Sequence, residues 1–134
     1  MKDIIDPKLP ENILASKIIS ICIEVHRILG PGLFESVYED ALAYEFEKAG
    51  IHFKRQEPIS VIYKDTVLGV GFIADFIVEG LVIIELKSIE SLGAVHKKQL
   101  GTYLKLTKLR LGLLINFNEE LLRDGLKRIA NNLK

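Results

Sequence analysis

Asp75, Glu85 and Lys87 put two carboxylates and an ammonium into a stretch that is otherwise largely apolar, a combination that can hold a cation or activate a water molecule. From Ile73 to Leu86 the chain reads IADFIVEGLVIIEL, two apolar runs hinged at Glu79-Gly80, which is a hairpin signal. Pairing centred on Gly80 sets Phe76 against Ile84, Val78 against Val82 and Ala74 against Leu86, a wholly apolar face. On the other face Ile77 meets Ile83 and Asp75 falls opposite Glu85, with Lys87 two residues on and therefore on the same side. Two carboxylates about 5 Å apart at an effective dielectric of about 20 repel by on the order of 3 kcal/mol, and a divalent cation between them reverses that cost. Solvated charges at a strand end are the plainer explanation, but the apolar neighbours on both faces weigh against it. Register decides the matter, because a slip of one residue sends Asp75 and Glu85 to opposite faces.

Other residues could join this face. Glu35 heads a helical stripe that continues through Tyr38, Leu42 and Phe46, so its carboxylate is expected to point inward; an acid favoured in a first turn by the helix dipole is the alternative. Gln99 and Tyr103 stand one helical turn apart, and both can hydrogen-bond a water or a phosphate oxygen. No acid lies between Glu90 and Glu119, whereas Lys97, Lys98, Lys105, Lys108 and Arg110 do, as a solvated helix face or as a phosphate-binding surface directly after Lys87. His26, His52 and His96 are too dispersed for a zinc site, and no Ser or Cys occupies a nucleophile elbow. GPGLFES lacks the Lys-Ser/Thr ending of a phosphate loop, which leaves nucleotide hydrolysis little support.

The elements that must position these groups follow from periodicity. Leu14, Ile18, Ile21, Val25 and Ile28 are spaced as an amphipathic helix, stopped by Gly30-Pro31-Gly32, and a second helix runs from near Phe34 to Gly50. His52 to Gln56 and Ile59 to Tyr63 read as extended pieces separated by Pro58; a turn at Lys64-Asp65 leads to Val67–Ile73 and the central hairpin. Gly69 and Gly71 suggest a bulge or bend. Leu92 to Thr107 reads as a helix, Arg110 to Phe117 as a strand and Glu119 to Leu133 as a last helix. This order predicts an α/β fold, a mixed sheet with helices packed against it, in which a right-handed crossover sets the Glu85 strand parallel to the 110–117 strand.

The 134 residues, 49% apolar and 27% charged, suit a single soluble domain, 1–134, with an irregular segment over 1–10. No apolar run is long enough to span a bilayer, and MKDIIDPKLPEN carries acids and prolines where a signal peptide needs apolar residues, so no membrane association and a cytoplasmic location are expected. Cys22 is the only cysteine, which excludes an intramolecular disulfide and a cysteine metal cluster; its helical stripe makes it a core residue. Eighteen basic and 18 acidic residues give no net charge to attract nucleic acid globally.

Asp75 followed by Glu85-Leu86-Lys87 at a strand end resembles the D…(D/E)-x-K signature of the PD-(D/E)XK nuclease superfamily. Gly32-Leu33-Phe34-Glu35-Ser36-Val37-Tyr38 is similar to the G-x-x-E-x-x-Y element of the small GxxExxY proteins placed in that superfamily. Ala74-Asp75-Phe76, Gln99 with Tyr103, and Leu113-Leu114-Ile115-Asn116-Phe117 resemble its later elements, so the likeness covers roughly residues 12 to 131. Ala74 stands where the superfamily's naming proline would, a position that shapes backbone rather than chemistry. The resemblance implies a restriction-endonuclease-like αβββαβ core with an extra N-terminal helix and a C-terminal helix. It further implies Mg²⁺, or Mn²⁺, on Asp75, Glu85 and the Leu86 carbonyl. Lys87 would orient water or steady phosphate charge, Glu35 would complete the acidic cluster and Gln99 would hold a nearby ligand or strand. Tyr103, Lys97 and Lys98 would bind substrate.

Two functions compete on this evidence: a Mg²⁺-dependent nuclease acting on DNA or RNA, and a non-catalytic nucleic-acid- or protein-binding module that keeps the fold. Neutral charge and the lack of an appended recognition domain favour the second, and the complete acidic set favours the first. Little surface is left for base readout, which leaves room for a homo-oligomer or a protein partner that supplies specificity.

Overall fold

A computed structural model describes residues 5–133; the first four residues of the expected irregular segment lie outside them. In chain order come α1 (Pro10–Leu29), α2 (Glu35–Lys48), β1 (Phe53–Tyr63), β2 (Thr66–Val78), β3 (Val82–Lys87), α3 (Ala94–Thr107), β4 (Leu111–Asn116) and β5 (Leu126–Ala130). The strands form one sheet in the order β1-β2-β3-β4-β5, antiparallel throughout except for the parallel β3–β4 pair. The α2-to-β4 segment is the αβββαβ order, and α1 precedes it.

The central hairpin has the expected register: Phe76 faces Ile84, Ile77 faces Ile83 and Val78 faces Val82. Val78↔Val82 closes a three-residue loop, in which the Leu81 amide donates to the Val78 carbonyl at 2.9 Å and Glu79 and Gly80 both have positive φ, 52° and 64°. Each sheet face has its own core. Ile18, Cys22, Tyr38, Leu42 and Phe46 of α1 and α2 pack on Phe76, Val78, Val82, Ile84, Leu113 and Ile115. On the opposite face Leu100 and Leu104 of α3 pack on Phe72, Ala74, Ile83 and Leu114. Cys22 is buried as expected, whereas Ile28, at the end of the predicted stripe, is exposed.

Ala74 therefore does not share a face with Phe76. Even-numbered β2 positions change sides at Asp75, and β1 changes in step: Phe53 packs with Phe76, Ile59 with the α3 side. Gln56, opposite this point, has φ 50°, and pairing passes from Arg55↔Phe76 directly to Glu57↔Ala74. This irregularity joins the two extended pieces into one strand, and Pro58 is tolerated because β1 is the sheet's edge.

The C-terminal helix expected from Glu119 to Leu133 is not formed. A 3-10 turn at Leu122–Gly125 leads instead into β5, which pairs with β4 from Leu111↔Ala130 to Ile115↔Leu126. Leu122, Leu126, Ile129 and Leu133 are spaced as in a helix, but β4 is buried along its length and its outer main-chain groups need a strand partner. Gly125 makes the corner possible, since a Cβ there would lie 2.5 Å from the Asn116 carbonyl oxygen.

Candidate active site

Asp75 and Glu85 meet where β2 and β3 part, beyond the last pair Phe76↔Ile84. The Leu86 amide donates to Asp75 Oδ2 at 2.8 Å, and the Asp75 amide donates to Glu85 Oε1 at 3.4 Å. In an extended strand the amide and carbonyl of one residue point to the same edge, so the Leu86 carbonyl also faces this gap. Next along, the Lys87 carbonyl turns the other way and accepts from the Phe117 amide at 2.9 Å.

Burial, followed by the Asp75 charge, pushes the Glu85 carboxyl up to about 8, against the opposing pull of the Asp75 amide and Lys87. Burial also raises Asp75; hydrogen bonds from the Leu86 amide and Gln56 and the charge of Lys87 oppose that rise, and the charge of Glu39 adds to it. Tyr103 is raised by burial and then by Glu85 and Asp75, which places it within electrostatic reach of both. Its ring stacks on Phe72, with centroids 3.6 Å apart. Lys87, half-buried, supplies the positive charge that both carboxylates feel.

Two further residues belong to this cluster without a sequence signal of the usual kind. Gln56 Nε2 donates to Asp75 Oδ1 at 3.1 Å and also to Glu39, whose carboxylate holds Arg55 at 2.9 Å. Glu39 lies one helical turn beyond Glu35, and that spacing was the available hint. Glu35 itself is exposed, although Tyr38, Leu42 and Phe46 behind it are fully buried. An ionised carboxylate in a first helical turn gains from the dipole while staying hydrated, and pointing inward would cost it that hydration. Gln99, Lys97 and Lys98 are exposed on α3. Among the described residues, Glu35 and Gln99 enter none of the hydrogen bonds that join Asp75, Glu85, Gln56 and Glu39. Arg110 is removed from the basic window, because its guanidinium grips the buried Glu11 carboxylate at 2.8 and 3.0 Å.

The G-x-x-E-x-x-Y element is anchored beside this site. The Tyr38 hydroxyl donates to the Gly30 carbonyl at 2.6 Å and accepts from the Leu33 amide at 3.2 Å, while its ring stacks on Phe117. Ser88 Oγ, next to Lys87, donates to the Leu33 carbonyl at 2.6 Å. Buried Asn116 fixes the chain after Lys87 from the other side, accepting from the Ile89 amide at 3.1 Å and donating to its carbonyl at 3.0 Å.

Among the described residues no three His, Cys, Asp or Glu side chains are gathered for a metal. The donors present are two carboxylates and one main-chain carbonyl, all hard oxygens. That set fits Mg²⁺, which is held by one or two carboxylates and keeps several waters, and does not fit a soft metal. A groove of about 700 Å³ lies elsewhere, between the end of α1 and the 120–123 segment.

A mixed sheet carrying an Asp and a Glu-x-Lys at the parting of its central hairpin is the arrangement of a nuclease-type domain. The chain belongs to the PD-(D/E)XK nuclease superfamily, whose family pattern it matches over residues 12–129. No curated protein and no solved structure matches it with significance. Among the described residues no helix is long and apolar enough to cross a membrane.

Proposed function

We propose that the chain is a divalent-metal-dependent nuclease of the GxxExxY group, with Mg²⁺ or Mn²⁺ on Asp75, Glu85 and the Leu86 carbonyl and phosphodiester bonds of DNA or RNA as its substrate. The observation that carries this reading is the juxtaposition of Asp75 and Glu85 in the gap where β2 and β3 part, with Lys87 on the same strand. A divalent cation bound there would compensate both carboxylates and supply Lewis acidity to a phosphoryl oxygen. Lys87 steadies charge on the phosphate or orients the attacking water, and Gln56 fixes the Asp75 carboxylate against rotation. Tyr103, Gln99, Lys97 and Lys98 of α3 contact the polynucleotide. Cutting depends on structure or ends, or on a protein partner that supplies specificity.

Calorimetric titration with Mg²⁺ and Mn²⁺, run beside cleavage assays on single-stranded, duplex and branched DNA and RNA, tests this. Metal binding by the wild type that Asp75→Asn abolishes, together with cleavage, is the expected result. Equal binding by both proteins, or cleavage of nothing on the panel, would give the chain to the class of non-catalytic binding modules.

A further inference from the structure

The outer half of the β1–β2 hairpin carries a bare apolar face. Its cross-strand rows are Pro58↔Ile73, Ser60↔Val70 and Ile62↔Val67. β1 alternates regularly here, so Pro58, Ser60 and Ile62 face away from Ile59, whose partner Phe72 stacks on Tyr103 of α3. β2 keeps Ile73, Val70 and Val67 on that same outward face by accommodating extra residues at two register shifts, where Gly71 and Leu68 fall between paired positions. Gly71 leaves room for Val61, whose Cγ2 lies 2.1 Å from where a Cβ would stand, so any larger residue requires Val61 to move. Neither α1 nor α2 covers the rows. Ile73, Val70, Ile62 and Val67 remain 53%, 61%, 65% and 66% exposed, and α2 reaches the ribbon only at its base, where Glu39 and Asp40 hold Arg55.

We infer that this face is a self-association surface, packing against the same face of a second copy of the chain about a twofold axis. Charge selects the occupant. Between Glu57 and Asp75 the ribbon has only Lys64 and Asp65, both at the hairpin turn, so the face offers phosphate no cation and anionic lipid no basic fringe. A second copy presents the same uncharged rows and buries no charge, and an isologous contact needs only a self-complementary patch. With Ile62, Val67, Val70 and Ile73 as its apolar centre, the patch is small, which points to a weak dimer whose population depends on concentration. The inference is independent of the nuclease reading, since none of these residues lies in the Asp75–Glu85 site.

Sedimentation velocity on the full chain, from about 1 μM to about 200 μM, reads the association directly. The wild type should pass from monomer to dimer over that range, and Val70→Lys should shift the midpoint at least about tenfold upward or leave only monomer. Val67→Thr/Val70→Thr, which keeps β-branching and so protects the strand, should weaken the dimer in the same direction. A wild type that stays monomeric at the top of the range would overturn the inference and leave the face to a different protein. A dimer indifferent to both variants, with circular dichroism unchanged, would overturn it equally by placing the contact elsewhere.

Discussion

The Asp75 carboxylate accepts the Leu86 amide proton at 2.8 Å, taking the place that the Ala74 carbonyl would hold if the β2–β3 ladder continued. A side chain thus ends the ladder, and the same substitution opens the gap into which Glu85 and the Leu86 carbonyl face. Because β2 also changes sides at Asp75, the irregularity that breaks the sheet is the one that builds the site. Irregular backbone at a functional position is kept only where surrounding contacts hold it; here Gln56, Glu39 and Arg55 do so.

Two substitutions at Asp75 separate its charge from its hydrogen bond. Asp75→Asn keeps an oxygen for the Leu86 amide and removes the charge facing Glu85, so the metal-free protein should melt a few degrees higher at pH about 8. Asp75→Ala leaves that amide without its acceptor and should cost about 1–3 kcal/mol. Thermal melts in chelator check this; an asparagine variant less stable than the wild type at that pH would show that the carboxylate pair is not under repulsion.

Glu85 makes stability depend on pH in a defined direction. Its carboxyl is raised from an ordinary 4.5 to about 8, so the folded chain retains a proton that the unfolded chain has released. The stabilisation is complete below pH about 4.5 and is lost as pH climbs through about 8, with Asp75, also raised, acting in the same sense. At about 1.4 kcal/mol per unit the loss amounts to a few kcal/mol. Metal-free melts from about pH 5 to about pH 9 should decline for the wild type and flatten for Glu85→Gln. A wild-type curve that rises over this window would contradict the buried, carboxylate-paired setting of Glu85.

The hairpin was readable because its two apolar runs centre on Gly80, and the three-residue loop that closes Val78↔Val82 fixes the register in which Asp75 meets Glu85. Gln56 and Glu39 were not, because their contacts depend on the positive φ of Gln56, which no local pattern around a Gln announces. Glu35 was placed inward by extending the stripe of Tyr38, Leu42 and Phe46 one turn too far, to where the chain enters the helix from solvent. The C-terminal residues have genuine helical spacing, and tertiary demand overrode it: β4 needed a partner on its outer edge, and Gly125 was the one local signal of the corner.

Tyr38→Phe tests whether the G-x-x-E-x-x-Y element is held for the site's benefit. The hydroxyl is buried and serves both the Gly30 carbonyl and the Leu33 amide, so its removal should cost about 1–3 kcal/mol. Because Ser88 bonds the same loop beside Lys87, hydrogen exchange at residues 30–34 and 88 should accelerate together. Acceleration confined to residues 30–34 would mean that the loop and the site are uncoupled.

Lys87 should matter to turnover more than to folding or metal affinity. Its ammonium lies close enough to Asp75 and Glu85 to favour the ionised form of both, yet it is only half-buried and leaves the ligand oxygens in place when removed. Lys87→Ala should therefore bind Mn²⁺ as well as the wild type, or slightly better because the carboxylates are less neutralised, while losing cleavage by a factor of about 100 or more. Lys87→Arg keeps the charge but not the compact point geometry, and should recover affinity for nucleic acid without recovering most of the rate. Calorimetry for the metal and initial rates on the nucleic-acid panel separate these effects. If Lys87→Ala cleaves at the wild-type rate, the lysine is a neutralising neighbour of the carboxylates and takes no part in the chemistry; if it loses metal affinity and rate together, its role is to hold the site's geometry.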